Sequence, residues 1–159
     1  MKFDLLKKGL LASLVACASV AAAEEPKSWL FMEVADTASL ENGKLVLKGI
    51  DDQIVLFTDR PYRDAMKMPV ESIVKNWGAG ANSFESDPPN AALTGKNEGS
   101  QVGLIVTISN PKLEDGNLQF DYETLNGTDV THLENVSLVV DSVYYTLQCW
   151  ASWGQDCGN

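Results

Sequence analysis

Two dipeptides constrain this chain more than any other feature. Asn42-Gly43 stands inside Leu40-Glu41-Asn42-Gly43-Lys44-Leu45-Val46-Leu47, and Asp115-Gly116 inside Leu113-Glu114-Asp115-Gly116-Asn117-Leu118. A two-residue type I′ turn needs positive φ at both central positions, which Asn-Gly and Asp-Gly accept at low cost. Apolar and polar residues alternate around each dipeptide, the period of a half-buried strand. The chain is therefore committed to antiparallel hairpins at two places. Nothing else around the two turns aligns, so shared hairpin chemistry explains their likeness better than an internal duplication.

The remaining strand signals follow the same logic. Trp29 to Ala35 reads as a first strand, and Ile54-Val55-Leu56-Phe57 as a strand buried on both faces. Val102 to Ser109 precedes the second turn. Leu118 to Leu125 follows it, with Leu118, Phe120, Tyr122 and Thr124 alternating against Gln119, Asp121 and Glu123. Val136 to Val140 and Val143 to Leu147 supply one or two more, and Ala91-Ala92-Leu93 a short one. Thr94 to Ser100 reads as a polar loop tip. One stretch departs from this pattern. Val70, Ile73, Val74 and Trp77 form the stripe of a short amphipathic helix opened by Pro69 and Glu71 and stopped by Gly78. The expected fold is a mostly β, antiparallel β-sandwich with one short helical insertion.

The N-terminus carries Lys2, Lys7 and Lys8, a short apolar run from Gly9 to Val20, and Ala21-Ala22-Ala23 before Glu24-Glu25-Pro26. That is the pattern of a secretory signal peptide over residues 1–23 and too short for a spanning helix. A second cut is open, because Leu14-Val15-Ala16-Cys17 fits a lipobox and would leave a lipid anchor on Cys17. Either route leaves Cys149 and Cys157 as a pair suited to an oxidising compartment. Their bridge would close a tail over residues 148–159, leaving 24–147 as a single domain. Trp150 and Trp153 lie within that loop and could form a stacking platform; packing under the sandwich edge is the plainer reading. The expected location is periplasmic or secreted, with the Cys17-anchored lipoprotein as the alternative.

Cleavage after Ala23 leaves nine basic and twenty-one acidic residues, a net charge of −12. Such a chain repels nucleic acid and anionic lipid. After the leader, no apolar segment reaches membrane length. His132 is the sole histidine; with Glu134 it gives two ligands where a zinc site needs more, so no metal is assigned. Nucleophile elbows, phosphate loops and dinucleotide fingerprints are absent. No catalytic residue and no cofactor is assigned, and the balance tilts away from an enzyme.

The chain's two arginines, Arg60 and Arg63, stand together in Phe57-Thr58-Asp59-Arg60-Pro61-Tyr62-Arg63. Guanidiniums placed so could pin a turn through Asp59, Asp64, Glu85 or Asp87, or hold an anion. The candidate ligand site comprises Asp59, Arg60, Tyr62, Arg63, Trp77, Phe84 and Asn90. Internal pairing is the favoured use of the arginines. The order LFTDRPYR, a helix ending in Trp77, Asn82-Ser83-Phe84 and then DPPNA resembles a group of small exported bacterial proteins of uncharacterised function. The likeness covers about residues 29–141, includes both hairpins, and implies a shared domain without a mechanism. The favoured function is non-enzymatic binding of a small ligand or an envelope partner. A structural envelope or surface component is the alternative, followed by a hydrolase built around Arg60 and Arg63, with or without His132.

Overall fold

A computed structural model describes residues 28–80 and 83–143. The elements run β1 (Trp29–Glu41), β2 (Lys44–Lys48), β3 (Gln53–Thr58), β4 (Ala65–Pro69), α1 (Val70–Lys75), β5 (Asn90–Asn97), β6 (Ser100–Glu114), β7 (Asn117–Asn126) and β8 (His132–Val143). Every strand pairing is antiparallel. The expected mostly β fold with one short helix is therefore what the chain adopts. The leader, the Cys17 alternative and the Cys149–Cys157 pair all lie outside the described residues.

The strand order is β2-β7-β6-β5-β8-β1-β3-β4, and β2 also pairs β1. The strands thus form one continuous sheet: β1, β2, β7, β6, β5 and β8 close into a ring, with β3 and β4 as a flap. β1 makes this possible by changing partners along its length. Its first part pairs β3, from Trp29↔Thr58 to Met32↔Val55, and its last part pairs β2, from Thr37↔Lys48 to Glu41↔Lys44. Between them, on that side, Glu33 to Asp36 face no strand. The β2–β3 connection crosses there, with Gly49 packed so closely on the Asp36 carboxylate that a Cβ would collide with it.

Three hairpins share one turn geometry. Asn42 and Gly43 have φ of 53° and 72°, and Asp115 and Gly116 have 51° and 72°. Glu98 and Gly99 have 50° and 80°, with Asn97 paired to Ser100 across them. Thr94 to Asn97 therefore belongs to a strand and not to the expected loop tip. Glu at the first turn position is a weaker signal than Asn or Asp, and the polar composition hid the hairpin. β4 was not expected either. Ala65-Met66-Lys67-Met68-Pro69 lacks clean alternation because its outer edge is unpaired and only Met68 is buried.

The interior is filled by side chains from all of these strands, Leu45, Leu47, Leu56, Leu93, Val106, Ile108, Leu133 and Leu138 among them. In β8, Asn135 at φ 52° inserts an extra residue opposite β5, so Leu133 and Val136 both point inward. Helix α1 buries Val70 and Ile73 as the stripe requires, and Trp77 beyond it packs on Phe84 (4.6 Å) and Phe120 (5.7 Å). Phe31 meets Phe84 edge-on at 5.6 Å, so this aromatic cluster joins the insertion to β1 and β7. Among the described residues no helix is long and apolar enough to cross a membrane.

Candidate functional site

The residues singled out from sequence fall in three places. Asp59, Arg60, Tyr62 and Arg63 form the β3–β4 turn. Thr58 and Asp64 close it: the Thr58 N–H donates to the Asp64 carbonyl (2.9 Å), and the Asp64 N–H donates to Thr58 Oγ1 (2.7 Å). Inside it, Asp59 Oδ1 accepts the Arg60 N–H (2.6 Å) and the Asp59 carbonyl accepts the Tyr62 N–H (3.2 Å). The Arg60–Pro61 peptide is cis, and Arg63 sits at φ 60°. Backbone and short side chains build this turn. Both guanidiniums are exposed, and among the described residues the ion pair formed is Lys44 with Asp121, not one with either arginine. The expected tie from Arg60 or Arg63 to Asp59, Asp64, Glu85 or Asp87 is therefore not made.

Trp77 and Phe84 are core residues, 5% and 2% exposed, and present no ring face to solvent. Asn90 lies at the start of β5, where its Oδ1 accepts from Thr107 Oγ1 (3.2 Å). His132 is exposed and pairs Ser39 at one end of β1, while Thr58, just before the arginine turn, pairs Trp29 at the other. Ten residues of strand separate those ends, roughly 30 Å at strand rise, so His132 and Arg60 share no cleft. Among the described residues, no group of three or more His, Cys, Asp or Glu is placed to hold a metal ion.

A concave site exists elsewhere. A cleft of about 380 Å³ is lined by Ile50, Asp51, Asp52, Gln53, Pro69, Val70, Glu71, Leu113 and Gly116. Three pieces of chain make it: the β2–β3 connection, the β4–α1 junction and the β6–β7 turn. The Val70 N–H donates to the Asp52 carbonyl (3.0 Å), fixing the first two against each other. The type I′ geometry of Asp115-Gly116 fixes the third. Ile50, Pro69, Val70 and Leu113 give apolar walls; Asp51, Asp52 and Glu71 give three carboxylates, and no basic residue lines it.

Beneath this cleft lies an unusual core residue. Glu33 is 1% exposed on the buried face of β1, at the gap between the β3 and β2 pairings. Its Oε1 accepts the adjacent Val34 N–H (3.2 Å), and its buried Oε2 makes no full hydrogen bond. Burial pushes its pKa up to about 7; the Val34 N–H opposes this, the nearby Asp51 charge adds to it, and the Asp51 backbone N–H opposes it more weakly. The carboxyl reaches the backbone of Asp51, a wall of the cleft. The indole N–H of Trp77 is likewise buried without a partner. Sequence reasoning missed the cleft because its residues come from three distant stretches with no shared motif. The one available signal was a glutamate at an inward position of the first strand, between Phe31 and Ala35.

No family model, curated protein or solved structure matches the chain.

Proposed function

We propose that this chain is an exported, non-enzymatic β-domain that binds a small ligand in the cleft between the β2–β3 connection, the β4–α1 junction and the β6–β7 turn. The observation that supports this reading is the cleft itself. It combines apolar walls with a few convergent polar groups, the usual make-up of a small-molecule site, and its volume suits a ligand of modest size. Its placement adds support, since irregular chain carried on a closed strand ring is where binding residues concentrate. The arginine turn, with its internally closed backbone and solvated guanidiniums, offers no comparable enclosure.

The test is a thermal-shift screen of the full mature protein against small amines, sugars and carboxylates, beside a Leu113→Trp variant that fills the cleft. At least one class should raise the melting temperature of the parent and leave the variant unmoved. Equal stabilisation of both proteins would place the site elsewhere. Stabilisation by nothing would favour a structural envelope component. Export carries its own check. The intact mass of protein recovered from the envelope or medium should correspond to a chain starting at Glu24, and an added diacyl mass on Cys17 would replace the soluble reading with the anchored one.

A further inference from the structure

We propose that the cleft takes a small organic cation, an amine with an apolar body; this rests on the cleft being the ligand site and goes on to name its ligand class. Two independent observations carry it. The first is the lining. Asp51, Asp52 and Glu71 come from two separate pieces of chain and converge on one concavity with no lysine or arginine among them, while Ile50, Val70, Pro69 and Leu113 supply apolar wall. Elsewhere a carboxylate does have a basic neighbour: Asp121 is held below the usual carboxylate range, chiefly by the Lys44 ammonium and then by the Asn110 amide.

The second observation is Glu33. A buried carboxyl with one oxygen short of a full hydrogen bond, facing the Asp51 backbone, is not there for stability; an apolar residue would pack the same inward position without cost. A cation in the cleft favours the ionised form of this carboxyl, which then acts on the cation through protein and not through water, where screening is weak. A cation in the cleft faces three carboxylates at the rim, with a carboxyl beneath them that its charge helps to ionise. Its apolar body meets Ile50, Val70 and Leu113. An anion of the same size meets only repulsion.

Six-carbon isosteres test this on the full mature protein: hexylamine, hexanol and hexanoate, followed by amide chemical shifts near neutral pH and low salt. Hexylamine should shift the resonances of Ile50 to Gln53, Val70, Glu71, Leu113 and Gly116, and bind about tenfold more tightly than hexanol. Hexanoate should leave them unmoved. The paired substitution Asp52→Asn and Glu71→Gln, both at exposed positions that the fold does not need, should remove most of that preference for the amine. If hexanol or hexanoate shifts these residues as strongly as hexylamine, the cleft stands as the site and the cationic class is overturned. If none of the three shifts them, the cationic class is overturned, and the site with it if the screen against the cleft-filled variant also fails. An amine preference that survives the paired substitution also overturns the proposal.

Discussion

Glu33 is the residue whose chemistry is least at home in its surroundings. It has weak hydrogen bonding from backbone alone, one oxygen short of a full partner and a pKa of about 7 inside an apolar interior. The sign of its effect follows from proton binding. Between its ordinary value, near 4.5, and about 7, the folded chain holds a proton that the unfolded chain has released. Stability supported by this group is therefore complete below the lower value and is lost as pH rises through the upper, by about 3 kcal/mol. Glu33→Gln removes the titration. Urea unfolding at pH 5 and pH 8 should show the parent falling more steeply than the variant; parallel behaviour would show that the carboxyl is already solvated. The arginines make the opposite case. Arg60→Ala should change stability by less than about 0.5 kcal/mol, as expected for an exposed side chain without an ion pair. Arg63 at φ 60° should gain about 0.5–1 kcal/mol on replacement by glycine. A loss of more than 1 kcal/mol in Arg60→Ala, measured by thermal unfolding, would restore the pinning role that its sequence neighbours suggested.

At the scale of elements, legibility tracked how local the determining chemistry was. Asn42-Gly43 and Asp115-Gly116 state their turns in two residues, and both turns form as read. The stripe from Val70 to Trp77 states a helix within eight residues, and α1 forms there. What failed depended on partners far along the chain. β1 was read as two strands, Trp29 to Ala35 and another near Leu40, because its buried positions change phase between Ala35 and Ala38. The two halves stay in one register with β8, from Phe31↔Val140 to Ser39↔His132, because β8 changes phase opposite them, between Leu133 and Val136, nearly a hundred residues later. The arginine site was chosen on residue type, and the cleft was invisible because it is made by juxtaposition. Turn positions also rank by what a methyl group would meet. Gly43→Ala has open space and only the positive φ against it, about 1 kcal/mol. Gly127→Ala combines φ 117° with a contact of 2.8 Å to the Gly103 carbonyl and 3.0 Å to the Leu104 backbone. It should cost at least twice as much, and equal midpoints in denaturant would contradict that ranking.

At the scale of the whole molecule, ring closure leaves β4 as the strand paired on one side alone among those described. An open edge invites pairing with another chain, and Lys67 and Pro69 on this one discourage it. So does the net charge of −12 expected after leader removal, which keeps copies apart at low salt. Lys67→Val should therefore promote self-association, more at high salt than at low, as read by light scattering; a variant that stays monomeric at both would show that the edge is protected by other means.

The same ring has a consequence for the order of events. The first described strand is completed by the last, in pairs running from Ser39 with His132 to Trp29 with Val143. Contacts so distant in sequence form late, after the entropy of closing nearly the whole chain has been met. Until β8 arrives, β1 and β5 each lack a neighbour and the interior stays open. For an exported chain, as proposed above, that order would leave the seam open until the last described strand has crossed.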